Sequence, residues 1–307
     1  MTVETSKPGT QSMPDPSFPK ALLRHLRFAA LEAVANARRI GAVGAARFFW
    51  MRCTVPFGWP VRYFIDRHPA SPTVARIDQE GFAELPALDR EAIDGMLGRV
   101  LAQASSAAGT RIASVSDYAE SMRHAGVQRQ TALISDGSAG CVLASIARSP
   151  AFAELAAAYL ELPADEMIVE ATIDTLVAVE RPTKPGGYDD ALEFHRDIDA
   201  YKFLKIFVYL TDCDEGDGHH EVYLRSHRHF PPALFLIRRY HASEIERAIP
   251  QAMLKKVTGQ AGFAFGENTL AFHRGTRPVR NHRVIFNLIY TEARFKDYYS
   301  NAFPLLS

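Results

Sequence analysis

The chain has 307 residues, of which 47% are hydrophobic and 23% are charged, so it is long enough to fold into one large domain. Its 35 lysines and arginines balance its 35 aspartates and glutamates, which argues against a dedicated nucleic-acid-binding protein. Cys53, Cys141 and Cys213 are too widely spaced for a disulfide framework or a cysteine-rich zinc site, and they fit a reducing cytoplasm. No apolar run reaches the roughly 20 residues of a membrane-spanning helix, and no secretory signal is visible.

The first 75 residues differ in composition from the rest of the chain. Residues 1–18 are polar and proline-rich, and we expect a disordered tail. Residues 19–75 form a basic extension, with eight positive residues between 20 and 65 against one acid, Glu32. Apolar residues at helical spacing predict helices here. Two interpretations stay open: the apolar stripe packs on the main domain, or the segment lies at a membrane surface with Phe48, Phe49, Trp50 and Trp59 in the headgroup layer.

The segment from Asp78 to Pro163 is predicted to be mostly helical. One helix begins near Asp89 and carries Ile93, Met96, Leu97, Val100 and Leu101 on one side. A second helix begins at Ser149 as the capping residue and stops before Pro163, with an apolar stripe through Phe152, Leu155 and Leu160.

After Pro163 the pattern becomes that of β-strands. Short runs of branched and aromatic residues are separated by turn residues; these runs are MIVEATIDTLVAVERP, KFLKIFVYLTD, HEVYLR, GFAFG, TLAFH and RVIFNLIYTEA. No connection between them is long enough for a helical crossover, so we expect antiparallel pairing. The fold class is therefore α+β, with a β-sandwich or barrel that carries helices at its N-terminal side.

The triplet His195-Arg196-Asp197 is the strongest local signal for chemistry. Alternate residues of a strand point to the same face, so His195 and Asp197 could offer a nitrogen and a carboxylate to one metal ion. A second histidine from elsewhere would complete the two-histidine, one-carboxylate set of non-haem iron(II) oxygenases. The alternative for an isolated triplet is a salt-bridged pair on the surface.

A second signal is the segment from Thr269 to Tyr290. An apolar strand is predicted to end on His273, and after a polar turn another begins at Arg283. An arginine that points into a barrel needs a carboxylate, and a dicarboxylate could join Arg283 to a metal. The alternative is a strand-edge cation in water; Arg277 and Arg280, in the turn, are rivals for the role.

Taken together, these stretches resemble the phytanoyl-CoA dioxygenase family. The motifs that carry the resemblance are His195-Arg196-Asp197, Leu210-Thr211-Asp212-Cys213-Asp214, Gly216, Ser226-His227-Arg228, and a later histidine, His273, with Arg283 about ten residues beyond it. The stretch QEGFAELPALDREAIDGMLGRVL is similar to the family's opening strand and helix. The resemblance covers about residues 75–292.

The resemblance implies a double-stranded β-helix (jelly-roll) core within a domain of residues 76–307. It implies that His195, Asp197 and His273 bind Fe(2+), and that Arg283 binds the carboxylate of the co-substrate 2-oxoglutarate. Phe207 stands where some members have an aromatic residue in the co-substrate pocket. Periodicity alone does not decide which face of residues 203–210 is inward, but this match turns Phe207 inward and leaves Lys205 as a second cation for a carboxylate, unless it extends to water.

The resemblance has departures that concern the loops. Leu224-Arg225 replaces the usual Pro-Gly, and Gly216-Asp217-Gly218 replaces the usual Gly-Pro. Position 275 is a glycine where some relatives have a hydroxyl that helps to hold 2-oxoglutarate. His227 is expected to be structural. His219-His220, on the loop after the acidic turn, is expected to be a solvated loop pair, and contact with substrate is the alternative.

The implied function is an iron(II), 2-oxoglutarate-dependent dioxygenase that uses O2 to hydroxylate an unactivated C–H bond, with release of succinate and CO2. The expected partner is a small-molecule or lipid-like substrate and no nucleic acid. A cytoplasmic location is expected, with peripheral membrane contact through residues 20–65 as an option. The alternatives are a cupin-like metalloenzyme that does not use 2-oxoglutarate and a catalytically silent jelly-roll binding module.

Overall fold

The structure, a computed structural model, describes residues 71–109, 111–134, 141–180, 192–197, 203–229, 239–293 and 302–305, together with scattered positions between 23 and 53 and residues 200, 231 and 234. The predicted tail and most of the basic extension lie outside these residues. The described positions between 23 and 53 are helical, and Ala29 and Ala33 are buried, as the packing interpretation expects. In the described part, no helix is long and apolar enough to cross a membrane.

The helices from residue 71 onward are α1 (Pro72–Glu80), α2 (Arg90–Ala108), α3 (Val115–His124), α4 (Val142–Ala147), α5 (Pro150–Leu160) and α6 (Ala242–Ala248). The strands are β1 (Phe82–Leu85), β2 (Arg129–Ile134), β3 (Met167–Val177), β4 (Phe203–Tyr209), β5 (His220–Tyr223), β6 (Leu254–Val257), β7 (Ala264–Glu267), β8 (His273–Gly275), β9 (His282–Glu292) and β10 (Phe303–Pro304).

The two predicted helices form where the apolar pattern placed them. The Asp89 side chain accepts a hydrogen bond from the Ala92 amide at 2.8 Å and so caps α2, whose Ile93 and Met96 are buried. Helix α5 begins after Ser149, but the Ser149 hydroxyl makes no capping hydrogen bond. The helix ends at Leu160 because Glu161 adopts a left-handed conformation, before the predicted stop at Pro163 is reached.

The strands form two antiparallel sheets. The larger has the order β1-β7-β4-β9-β3-β10, with β2 also paired to β3, and the smaller has the order β6-β5-β8. An isolated bridge between His195 and His273 extends the smaller sheet beyond β8. The mixture of helices and antiparallel sheets confirms the predicted α+β class.

The larger sheet has two buried faces with different roles. Its outer face packs against the helices through an apolar cluster that includes Leu204 and Ile206 of β4 and Phe286 of β9. The inner face faces the smaller sheet, where Phe207 and Tyr209 pack with Val222 of β5. Lys205 alternates with Phe207 on the inner face, which is the orientation that the family resemblance implied.

Some elements differ from the prediction. Strands β2, β6 and β10 were not predicted. The apolar run before His273 is a turn and not a strand, because the Asn268 side chain accepts from the Leu270 amide and the Asn268 carbonyl from the Ala271 amide. Strand β8 therefore begins at His273 instead of ending there.

The motif residues outside the metal triplet hold turns in place. The Asp214 side chain accepts from the Gly216 amide at 2.6 Å, and Asp217 accepts from the Asn281 amide group at 2.8 Å. His227 is buried, and its Nε2 lies 2.8 Å from the carbonyl oxygen of Asp78 in α1. This contact agrees with the structural role that was predicted for His227.

The burial of His227 predicts a loss of stability in weak acid. Burial lowers the pKa of His227 to about 4, against about 6.5 in an unfolded chain. The unfolded chain therefore binds more protons between these values, and stability falls as the pH falls through this window. His227→Gln keeps a donor for Asp78 but has no titrating group. Between about pH 7 and pH 5, we expect its free energy of unfolding to fall by about 2 kcal/mol less than that of the unchanged protein. Urea unfolding at both pH values measures this, and equal losses in the two proteins would contradict it.

Candidate metal centre

His195 and His273 are brought together by backbone pairing. The amide of each residue donates to the carbonyl of the other at 3.0 Å, and the two ring centroids are 4.2 Å apart. Both side chains are buried, with His195 8% and His273 4% exposed, so the alternative of a surface His-Asp pair does not apply.

Asp197 joins the two histidines from the same segment as His195. Its amide donates at 2.8 Å to the carbonyl of Thr269, in the turn that precedes β8. One carboxylate oxygen lies 3.6 Å from His195 Nε2, and the other lies 3.3 Å from His273 Nε2. Among the described residues, these three form the group whose ligand atoms all lie within 4.8 Å of one another, close enough to hold one metal ion.

The two imidazoles are oriented so that their Nε2 atoms face the carboxylate. His195 Nδ1 donates to the Glu193 carbonyl at 2.8 Å, and His273 Nδ1 donates to the Ala271 carbonyl at 2.9 Å. With Nδ1 protonated in each ring, the lone pair for a metal belongs to Nε2. Burial and the neighbouring His273 hold the pKa of His195 well below its usual range, which keeps the metal-binding neutral form.

Lys205 reaches this site from β4. Its Nζ lies 2.6 Å from Asp197 Oδ2, and its side chain is only 12% exposed, so it does not extend to water. Burial raises the pKa of Asp197, but the Lys205 ammonium and the two histidines outweigh this effect, so the pKa stays well below its usual range. The sequence predicted Lys205 as a cation for a co-substrate carboxylate; in the structure its observed acceptor is Asp197, and the co-substrate role stays a prediction.

Arg283 lies on the inner face of β9 and is 5% exposed. Its Nη1 donates to the Gly218 carbonyl, and its Nε has no hydrogen-bond partner among the described residues. Gly218 has a φ of +92°, and a Cβ there would meet Pro278, so this carbonyl position requires glycine. Arg283 is therefore a buried arginine with donor capacity to spare.

The rival arginines lie on the surface turn. Arg277 donates to the Gln128 side chain at 2.9 Å, and Arg280 pairs with Asp214. Both are exposed, so neither competes with Arg283 for a position between the sheets.

Phe207 lies between the two sheets near the histidines. Its ring stacks on Phe265 at 5.0 Å and lies 5.2 Å from the ring of His220. The predicted lining position of Phe207 is thus an inward one, although its contact with a co-substrate stays a prediction.

Sequence reasoning missed His220 and Glu267. His220 is 4% exposed and His219 also 4%, so the expectation of a solvated loop pair was wrong. His220 pairs with Gly275 of β8, and its Nε2 lies 2.7 Å from a carboxylate oxygen of Glu267, which is fully buried. The alternation of His220 with Val222 along HEVYLR was the signal that could have identified it.

Comparisons with known proteins identify structural similarity but no family. No protein-family model matches the chain, and no curated protein matches it. Among solved structures, AviO1 from Streptomyces viridochromogenes Tue57 is 16% identical, with a TM-score of 0.46 over 72% of this chain and 94% of that one. SnoN, a non-heme alpha ketoglutarate dependent epimerase from nogalamycin biosynthesis, is 18% identical, with a TM-score of 0.45 over 72% of this chain and 82% of that one.

A third similar structure is EctD from S. alaskensis with bound Fe, which is 17% identical, with a TM-score of 0.49 over 74% of this chain and 78% of that one. With TM-scores below 0.5, these similarities carry no argument about the chemistry of this chain. The resemblance to the phytanoyl-CoA dioxygenase family therefore stays a prediction, and the function is argued from the residues of the site.

The contact between Lys205 and Asp197 predicts competition with a cation. An ammonium beside the carboxylate repels a divalent ion that uses the same group. We expect Lys205→Met to bind cobalt(II) on the order of tenfold more tightly than the unchanged protein, measured from the visible absorption of bound cobalt. Lys256→Met, at an exposed lysine paired with Glu215, is the matched control and should change nothing. Weaker binding by Lys205→Met would instead mean that Lys205 is needed to hold Asp197 in place.

Proposed function

We propose that this chain is a mononuclear iron(II), 2-oxoglutarate-dependent oxygenase with a double-stranded β-helix core. The observation that carries the proposal is the convergence of His195 Nε2, His273 Nε2 and the Asp197 carboxylate within 4.8 Å, in a buried position between two antiparallel sheets. Two neutral nitrogens and one carboxylate on the same side of an ion leave the remaining coordination positions for co-substrates.

The surroundings of the triad also suit a cation. The carbonyls of Glu193 and Ala271 fix the tautomer and the direction of the two imidazoles before a metal arrives. Burial lowers the pKa of His273, but Glu267 and Asp197 outweigh it and raise the pKa overall, so this position favours positive charge. The donor set of nitrogen and carboxylate ligands without a thiolate is appropriate for iron(II).

The proposed anchor for 2-oxoglutarate is Arg283. It lies on the inner face, it is buried, and its Nε lacks a partner among the described residues, so a carboxylate would satisfy donors that the chain itself leaves unused. Phe207 would line the path between Arg283 and the metal, and Lys205 would be a second cation for a carboxylate once a metal neutralises Asp197.

The proposed reaction is hydroxylation of an unactivated C–H bond in a small-molecule or lipid-like substrate. Bound iron(II), with 2-oxoglutarate and O2, supplies the oxidising chemistry and releases succinate and CO2. The chain supplies a fixed ligand geometry, a buried and mostly aromatic wall at Phe207 and Phe265, and cations for the co-substrate. The proposal includes peripheral membrane contact through residues 20–65, and the basic composition of this segment supports it.

The proposal predicts a visible charge-transfer band when the apoprotein is titrated anaerobically with iron(II) and 2-oxoglutarate. We expect the band to be lost in His273→Ala, because one of the three ligands is gone. We expect Arg283→Ala to keep its affinity for iron(II) but to bind 2-oxoglutarate about 100-fold more weakly, because a buried charge-assisted pair is broken. Arg277→Ala, which changes an exposed arginine of the connection between β8 and β9, should behave like the unchanged protein.

The titration also separates the alternatives. Iron(II) binding without a band would favour a cupin-like metalloenzyme that does not use 2-oxoglutarate. Failure of the folded protein to bind any iron(II) would favour a catalytically silent binding module. Unchanged 2-oxoglutarate affinity in Arg283→Ala would remove Arg283 as the anchor.

A further inference from the structure

A second layer of charged residues lies behind His273. In the pairing of β5 with β8, Val222 is opposite His273 and His220 is opposite Gly275. His220 and His273 therefore point to the same side of the smaller sheet. Their rings are nearly parallel, with an interplanar angle of 20° and centroids 5.6 Å apart.

Glu267 reaches both histidines from the opposite sheet. It is the last residue of β7, where it pairs with Lys205 of β4, and its side chain is 0% exposed. Its Oε2 accepts from His220 Nε2 at 2.7 Å, and its Oε1 lies 3.7 Å from His273 Nδ1. The carboxylate thus lies between the ring of a proposed metal ligand and a ring that is not a ligand.

The Oε1 atom of Glu267 is the unusual feature of this arrangement. It is buried and has no hydrogen-bond partner among the described residues, although a carboxylate oxygen excluded from water is costly when it is not paired. The Nδ1–H side of His273 lies 3.7 Å from this oxygen. That group becomes more positive when a cation binds to Nε2 of the same ring.

We propose that Glu267, held in place by His220, is a positioning residue that tunes the metal through His273. The proposal rests on the metal site of the proposed function and adds to it a pair of residues that the family motifs do not include. His220 fixes one oxygen of the carboxylate, and the other oxygen lies beside Nδ1–H of His273. The negative charge stabilises a cation on the far side of the ring, and stabilises a more highly charged cation more strongly.

A purely structural role is the competing explanation, because the pair also links β7 to β5 across the interior. A structural role lowers the stability of the apoprotein and leaves metal binding by the folded protein unchanged. The proposed role instead changes how tightly the metal is bound and how readily it is oxidised. The test therefore measures iron(II) affinity and the midpoint potential of bound iron, and neither measurement depends on substrate turnover.

The main variant is Glu267→Gln, which removes the charge and keeps the shape. We expect its affinity for iron(II), measured anaerobically by competition with a coloured chelator, to fall about 10–100-fold. The midpoint potential of bound iron should move in the positive direction, because the ferric ion loses more stabilisation than the ferrous ion.

Glu221→Gln is the matched control. Glu221 neighbours His220 on β5 but points to the other face, where it is buried and pairs with Arg274 at 2.8 Å. Glu221→Gln therefore removes a buried carboxylate from β5, the strand of His220, and changes nothing beside Nδ1 of His273. We expect its iron(II) affinity and potential to match those of the unchanged protein.

Two variants of His220 keep the test decisive if Glu267→Gln does not fold. His220→Gln retains an amide donor for Glu267 and should bind iron(II) nearly as well as the unchanged protein. His220→Leu removes the donor and should lose affinity. When Glu267→Gln does fold, the effect of His220→Leu should disappear in the double variant, because His220 acts through Glu267.

Unchanged affinity and potential in Glu267→Gln would overturn the inference and leave the pair as a link between sheets, with the proposed function intact. Equal losses in Glu221→Gln would overturn it in the same way. Failure of the unchanged protein to bind iron(II) would overturn the proposed function and this inference together.

Discussion

The two backbone hydrogen bonds between His195 and His273 are the constraint on which the candidate metal site depends. They bring segments that are distant in sequence to adjacent positions of one sheet, with the two imidazoles on the same side. A further hydrogen bond, from the Asp197 amide to the Thr269 carbonyl in the turn before β8, holds the carboxylate beside the two rings. Because β8 also pairs with β5, the position of His220 relative to His273 follows from the same register.

Pairing of carboxylates across the interior follows from this arrangement. The site contains one fully buried carboxylate, Glu267, and one partly buried carboxylate, Asp197, and each has a partner on the opposite sheet. Asp197, beside the smaller sheet, contacts Lys205 of the larger one, whereas Glu267 of the larger sheet contacts His220 of the smaller one. Such pairs are strong at low dielectric, but a buried charge that loses its partner costs several kcal/mol. Contact between the two sheets is thus a condition for the charges of the site to be tolerated.

Local patterns predicted the parts of the structure that depend on near neighbours. The shared side of His195 and Asp197 follows from strand alternation, and the capped helix α2 follows from Asp89 and its apolar stripe. The predicted position of β8 was wrong because the turn at Asn268 depends on a side-chain hydrogen bond, which the apolar composition of the segment does not indicate. The burial of His220 depends on Glu267, whose contact with it arises only when the sheets pack. Alternation could not orient β4, because both of its faces are buried.

The two faces of the larger sheet separate stability from chemistry. The outer face packs on the helices through apolar residues, and burial of that surface is the main favourable contribution to folding. The inner face carries Lys205, Glu267 and Arg283, whose desolvation is unfavourable and is only partly compensated by hydrogen bonds. Two buried atoms without a hydrogen-bond partner among the described residues, Oε1 of Glu267 and Nε of Arg283, lie on this inner face. A fold whose stability came from the inner face could not tolerate them. Because the outer core provides the stability, the inner face can keep donors and acceptors for a cation and a carboxylate that are not part of the chain.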